Sequence, residues 1–250
     1  MSISLPIPHL TRQTFEEEFL GGPVIRMNLE ATKGQENEHA EIDAIVAAAL
    51  LEEPILLSCR VAADAEESIS QLQAHGFRQV EILVTLERTL NTSGSVGVDV
   101  EHAVAEDEDA CREIARTAFS YDRFHADPQI SDLAADRLKS AWVRNSLRGR
   151  ADTCLVIRYD DETAGFISCL LTDDFAIIDL IAVSEKFRGH GLGGKLVQGS
   201  LAYYGGRKPV IRVGTQFENE SSIRMYENAG FREVNRQATL HLLPHGGEAE

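Results

Sequence analysis

Between Phe187 and Leu196 the chain reads FRGHGLGGKL. Gly189, Gly191, Gly193 and Gly194 crowd into this stretch, led by Arg188 and followed by Lys195. An apolar run, FAIIDLIAV (175–183), ends just before it, and LVQGSLAYY (196–204) continues as a helical pattern. A glycine turn between a strand and a helix leaves backbone N–H groups without partners at the positive end of the helix. That is chemistry for holding an anion. The glycines let a ligand come close to the backbone and allow left-handed angles. Two common phosphate motifs fail here. A P-loop needs Ser or Thr after its Gly-Lys, and Leu196 follows Gly194-Lys195. The dinucleotide fingerprint finds its three glycines at 189, 191 and 194. However, it lacks the tight strand-to-loop turn and the acidic residue about twenty positions on, where the chain reads YYGGRKPVI.

A second group of residues can meet phosphate. Arg137, Arg144 and Arg148 follow one helical stripe beside the apolar Ala134, Leu138, Ala141 and Trp142. With Arg123 nearby in sequence, such a stripe can fork onto a substrate diphosphate. A solvated face paired with Asp132 and Asp136 accounts for it equally well.

The elements that must position these residues alternate along the chain. GVDVEHAV (97–104) reads as a strand and EDEDACREIARTAF (106–119) as a helix with acids at its positive end. SDLAADRLKSAWVRNSL (131–147) is a second helix. CLVIRY and AGFISCLL are strands joined by DDET as a hairpin. After the glycine loop and its helix come PVIRVGT as a strand, NESSIRMYENAG as a short helix, and FREVNRQATLHLL as a last strand. Hairpins mixed with helical crossovers imply an α/β fold with a mixed sheet and helices on its faces.

The first part of the chain repeats the last. PILLSCRVAADAEESISQLQAHGFRQVEILVTLE, from Pro54, matches PVIRVGTQFENESSIRMYENAGFREVNRQATLH, from Pro209, with one gap. Gly76-Phe77-Arg78 aligns with Gly230-Phe231-Arg232, and Thr85-Leu86 with Thr239-Leu240. The first copy has no glycine loop, so it reads as a truncated, non-catalytic copy. LNTSGSVGVDV (90–100) reads as a linker, which divides the chain at about residue 95 into domains 1–95 and 96–250.

Composition narrows the function. A formal net charge of −16 argues against a nucleic-acid binder, which needs a basic surface, and against anionic membranes. The N-terminus lacks the pattern of a signal peptide, and no apolar run is long enough for a membrane span. Cys59, Cys111, Cys154 and Cys169 are widely spaced without a CxxC pair. They suggest neither a metal site nor a disulfide framework, and fit reduced thiols in a cytoplasmic protein.

Arg188, Gly191 and Gly193 after the strand match the R/Q-x-x-G-x-G/A loop of the GNAT superfamily of N-acetyltransferases. Asn219, Tyr226, Gly230 and Phe231 match its downstream Asn…Tyr…Gly-Phe pattern. Residues 96–243 therefore resemble that superfamily. DRFHADPQISDLAADRLKSAWVRNSLRGRADTCLVI resembles more narrowly the acetyltransferases of amino-sugar nucleotides, which also carry an N-terminal partial copy of the fold.

The resemblance implies a GNAT fold, with a mixed, mostly antiparallel central sheet and flanking helices, preceded by the truncated copy. It implies acetyl-CoA as co-substrate and no metal, the amine of a nucleotide-linked amino-deoxy sugar as acceptor, and a homodimer. A peptide N-terminus or a polyamine is the alternative acceptor, and an acyl-CoA-binding module without catalysis is the alternative class. The resemblance assigns the coenzyme pyrophosphate to the backbone of Arg188, Gly189, His190, Gly191, Leu192, Gly193 and Gly194. It assigns the pantetheine to the backbone of Ile181 and Val183, with an N–H near Ala182 or Val183 for the thioester oxygen. Asn219 and Ser222 join the cofactor site, although a helix cap explains Asn219 as well. Tyr226 is the general acid, since a phenol is protonated near neutral pH; the first copy has Leu72 there. Asp179 is the candidate base. Arg123, Arg144 and Arg148 are the candidate acceptor-binding residues. His190 is expected to turn its side chain to solvent.

Overall fold

The computed structural model describes residues 2–5, 9–29, 38–90 and 99–244. Residues 91–98 of the expected linker, and with them the domain boundary, lie outside the described residues. In space the chain divides into two compact units. One holds residues up to Leu83, Tyr121–Ala135 and the chain from Arg236; the other holds Val84–Ser120 and Asp136–Asn235. The division is therefore interleaved along the sequence rather than made by one cut.

The first unit contains strands β1 (Ile3–Ser4), β2 (Leu10–Arg12), β3 (Val24–Asn28) and β4 (Leu56–Ala62), and helices α1 (Thr14–Leu20), α2 (Glu38–Leu50) and α3 (Glu66–Ala74). It also takes parts of β5 (Arg78–Thr89) and β11 (Arg232–Leu242). Its strand order is β1-β2-β3-β4-β11-β5. Period-two alternation gives its sheet two different faces. Ile25, Met27, Leu57, Cys59, Ala238 and Leu240 pack on one face with Ile42, Val46 and Leu72. Thr11, Arg26, Ser58 and His241 form a row across the other face by register, and Asn28, Arg60 and Thr239 form the next row.

The second unit contains β6 (Glu101–His102), α4 (Glu108–Ala118), α5 (Asp132–Asn145, from Asp136), β7 (Thr153–Tyr159), β8 (Glu162–Leu171), β9 (Ala176–Val183), α6 (Leu192–Tyr204), β10 (Val210–Gln216) and α7 (Glu220–Asn228). Its order is β5-β10-β9-β8-β7-β6. The β6–β7, β7–β8 and β8–β9 pairs are antiparallel and β9–β10 is parallel, as expected for a mixed, mostly antiparallel sheet. Of the expected strand GVDVEHAV only Glu101–His102 pair, and residues 97–98 lie outside the described residues; each other expected strand and helix of this part is present, with ends shifted by a few residues.

Local chemistry explains several ends. The Val104 N–H donates to Asp107 Oδ2 at 3.0 Å just before α4. Asp160 and Asp161 close the β7–β8 hairpin with φ of 50° and 64°, the left-handed pair that a two-residue turn requires. The repeated segments end their helices alike. Phe77 N–H bonds the Leu72 carbonyl and Gly76 N–H that of Gln73. Phe231 N–H bonds the Tyr226 carbonyl and Gly230 N–H that of Glu227. Gly76 and Gly230 are both left-handed, with φ of 91° and 83°.

Helix α6 and the residues around it bury Leu155, Ile157, Ile167, Cys169 and Ile178 on one face of the second sheet. Cys111, Ile114, Ala115 and Val143 of α4 and α5 bury Val156, Phe166, Leu180 and Ala182 on the other. Ile178 and Leu180 lie two apart yet face opposite sides. The register explains this: Ser168 pairs with Leu180 but Cys169 pairs with Ile178, so Asp179 is an extra residue in a β-bulge.

Candidate functional site

The loop after β9 is anchored by Phe187, which is buried in the core beside Leu192 and Leu196. Arg188, Gly189 and His190 are exposed. Gly189 and Gly191 take φ of 84° and 71°, and Gly191 caps α6. A side chain at either would meet nothing within 4 Å, so their need for glycine lies in backbone angle, not crowding. The N–H groups of Leu192, Gly193 and Gly194 start the helix and have no acceptor within it. The Leu192 side chain is buried in the core, so only its backbone serves the surface. Gly193 answers a different demand: a Cβ there would lie 2.8 Å from Met225 Sδ on α7.

A groove of about 690 Å³ opens at this helix end. Gly191, Gly194, Lys195 and Gln198 line it from α6, and Ser221, Arg224, Met225 and Asn228 from α7. Lys195 lies 3.5 Å from Asp99, and Arg224 bonds Glu220 at 2.9 Å. Two cations beside open helix N–H groups favour a bound anion. Asp99 lines the groove as well. Sequence reasoning missed Lys195, Gln198, Arg224 and Asn228. Their signal was present, since Gly191, Lys195 and Gln198, like Ser221, Arg224 and Asn228, recur at helical spacing on one face.

Beside the groove, β9 pairs with β10 only as far as Ile178 with Val213. From Leu180 to Val183 it pairs with β8 alone among the described residues. In an antiparallel ladder alternate residues turn their N–H and C=O away from the partner strand. Backbone groups between Leu180 and Val183 are thus left for a ligand, while the Ala182 side chain is buried and those of Ile181 and Val183 pack on the core.

Asn219 caps α7: its Oδ1 accepts from the Ser222 N–H at 3.2 Å and from Ser221 Oγ at 3.0 Å. Two turns on, Tyr226 is 2% exposed and packs against Phe231. Burial pushes its phenol well above the ordinary value, so the hydroxyl keeps its proton at physiological pH. Tyr226 makes no hydrogen bond through that hydroxyl among the described residues. Asp179, on the bulge, accepts from Arg150 at 2.6 Å. Arg150 also lies over the Trp142 ring and bonds Ser146 Oγ.

His190 is exposed, with its Nδ1 3.2 Å from the Phe187 carbonyl and its ring 4.8 Å from that of Tyr159. Arg144 and Arg148 belong to the second unit, where Arg148 makes a two-pronged pair with Glu108 at 2.8 Å. Its partner is neither Asp132 nor Asp136. Arg123 belongs to the first unit and bonds Glu16 at 2.6 Å. Cys59, Cys111, Cys154 and Cys169 are free, and burial pushes the thiols of Cys59, Cys111 and Cys154 up to about 12. No group of His, Cys, Asp and Glu suited to a metal ion occurs among the described residues. No helix there is long and apolar enough to cross a membrane.

Comparison with known proteins bears on the same residues. The acetyltransferase (GNAT) family model matches residues 109–231. The spore coat polysaccharide biosynthesis protein SpsD of Bacillus subtilis (strain 168) is 34% identical over 145 residues. The match covers 58% of this chain and 50% of SpsD, so the chain spans about half the length of that relative. Among solved structures, a functionally unknown conserved protein of Staphylococcus epidermidis superposes with a TM-score of 0.63 at 15% identity, covering 97% of this chain and 94% of the other. A GCN5-related N-acetyltransferase of Sphaerobacter thermophilus gives 0.62 at 14% identity, over 94% of this chain and 76% of that one. At such identity these likenesses establish the GNAT fold.

Proposed function

We propose, on the premise that this chain belongs to the GNAT acetyltransferase family through its residues 109–231, that it transfers acetyl from acetyl-CoA to the amine of a nucleotide-linked amino-deoxy sugar. The observation that carries the reaction is the bulge at Asp179. It turns β9 so that backbone between Leu180 and Val183 is left open beside the anion-holding start of α6. The sugar acceptor draws support from the similarity to a protein named for polysaccharide biosynthesis.

Acetyl-CoA supplies the activated acetyl thioester. In this reading the N–H groups from Arg188 to Gly194 hold the pyrophosphate, with Lys195 and Arg224 adding charge. The backbone of Ile181 and Val183 aligns the pantetheine as an added strand, and Asn219 and Ser222 position it at the start of α7. An N–H near Ala182 or Val183 holds the thioester oxygen. Tyr226 Oη donates a proton to the departing sulfur. Asp179 Oδ takes the proton of the acceptor ammonium, with Arg150 holding the carboxylate in place until then. Arg144, on α5, is available to acceptor phosphate, whereas Arg148 would have to leave Glu108 to join it.

The test is acetyl-CoA turnover by free-thiol release against dTDP- and UDP-linked amino sugars, polyamines and short peptides. Release with an amino-sugar nucleotide alone upholds the proposal. Release only with peptides or polyamines keeps the acetyl transfer and discards the sugar.

A further inference from the structure

The first unit carries a pocket that the reaction above does not use. Its volume is about 270 Å³, and Thr11, Arg26, Ser58, Arg60, Arg123 and Gln237 are among its walls. Among the described residues no Asp or Glu lines it, in a chain whose net charge is −16. The polar face of the sheet builds it: Thr11, Arg26 and Ser58 share one register row and Arg60 stands in the next. Arg123, 7% exposed, is held there by Glu16 at 2.6 Å and by the Phe124 ring beneath its guanidinium.

The arginines are not neutralised. Glu16 meets Arg123 and, at 3.4 Å, Arg26; Glu81 meets Arg60 at 3.3 Å. Among the described residues, three guanidiniums thus share two carboxylates. The Asp127 carboxylate is already engaged by Arg78 and His241. Burial, and next the charge of Arg123, pull the Arg26 guanidinium down to about 10, and the same causes lower Arg60. An independent sign comes from Ser58. It is 1% exposed, lines the pocket, and its Oγ has no hydrogen-bond partner among the described residues. A buried hydroxyl without a partner costs free energy that a ligand acceptor would recover.

We propose that this pocket binds a phosphate group of a small molecule, with Arg26, Arg60 and Arg123 supplying charge and Ser58 Oγ a hydroxyl donor. Planar guanidinium forks match phosphate oxygens. The volume lies below the range of sites that enclose a whole drug-sized ligand, so the pocket takes the anionic end of a molecule and leaves the remainder outside. The inference stands without the acetyl-transfer reading, since it concerns binding alone. The same phosphate chemistry has two sources, the acceptor's nucleotide diphosphate and coenzyme A.

The experiment is calorimetric titration of the full chain with inorganic pyrophosphate, dTDP and CoA in turn, for wild type, Arg26→Gln and Ser58→Ala. Arg26→Gln leaves Glu16 its closer partner Arg123, and Ser58→Ala removes no existing bond, so both should keep the wild-type unfolding transition. Pyrophosphate and dTDP should bind wild type, about tenfold more weakly in Arg26→Gln and about threefold more weakly in Ser58→Ala. CoA weakened by the same two variants would uphold the phosphate site and assign it to the cofactor. Pyrophosphate that does not bind, or that binds both variants as tightly as wild type, as it would if held only at the glycine loop, overturns the proposal. Thiol release is read separately, so loss of turnover does not count against the pocket.

Discussion

Gly193 on α6 lies against Met225 on α7 so closely that a methyl group on its Cα would stand 2.8 Å from the thioether sulfur. Gly194, the next residue, has nothing within 4 Å of the same position. The two glycines therefore answer different demands. Alanine gains roughly 1 kcal/mol over glycine inside a helix. Gly194→Ala should keep that gain, whereas Gly193→Ala should lose it to displacement of Met225, which lines the groove. Thermal unfolding should rank Gly194→Ala above Gly193→Ala, and Gly193→Ala should raise KM for acetyl-CoA. The reverse order of stability would sink the packing account.

Tyr226 separates stability from chemistry. Its hydroxyl makes no hydrogen bond among the described residues while its ring fills the core. Tyr226→Phe should therefore unfold no earlier than wild type, yet lose about 100-fold or more in kcat. Unchanged turnover would remove it as the acid.

The Asp179–Arg150 pair tests the base. Asp179→Asn should lower kcat about 100-fold, while Arg150→Gln, on a partly exposed pair, should cost at most about 1 kcal/mol of stability and lower kcat less than Asp179→Asn, since it removes the positioning contact but not the carboxylate. If Asp179→Asn keeps wild-type kcat, the carboxylate serves only as the counter-charge of Arg150.

Leu86 falls in the N-terminal copy by sequence but in the core of the second unit by position. It is fully buried there with Val84, Tyr226 and Phe231. Leu86→Ala should cost about 2–5 kcal/mol, measured by urea denaturation. A cost under about 1 kcal/mol would show that β5 is dispensable to that core. This is a physical reason for the first copy to be kept: β5, its last strand, completes the sheet beside β10.

His241 and Asp127 should make the first unit sensitive to acid. Burial holds the His241 imidazole below its ordinary value, against the pull of Asp127, so it is neutral when folded. Unfolded, it takes up a proton near pH 6.5. Stability then falls as the pH drops through that range, by at most about 1.4 kcal/mol per pH unit for one proton. Burial alone would raise Asp127, but bonds from His241, Arg78 and the Gln129 N–H hold it below the usual value. Its contribution is therefore kept above about pH 4 and lost below. His241→Asn should flatten the dependence between pH 7 and 5 and leave the later loss. A wild-type stability that is level from pH 7 to 5 would contradict the neutral imidazole.

Much of the fold was legible because it is written in short-range patterns. The glycine loop, the strand before it and the helix after it depend on backbone freedom and apolar period, which neighbouring residues determine. The aligned Gly-Phe-Arg segments proved to share their helix-end hydrogen bonds. Residue roles were less legible. Arg137 and Arg144 lie on α5, but Arg148 lies past its end at Asn145 and finds Glu108, forty positions earlier, which no local spacing announces.

By itself the sequence determined most secondary elements of residues 99–244, the glycine-rich start of α6 and the repeat, since each rests on residues close in the chain. Tertiary structure alone decided three things. Strand pairing made Asp179 a bulge and opened β9. Packing gave Leu86 to the second unit and Gly193 to Met225. The folding of residues 121–135 onto the first unit set Arg123 beside Arg26 and Arg60. The physical reason is common to all three: each is a contact between residues far apart in sequence, selected by which surfaces bury together.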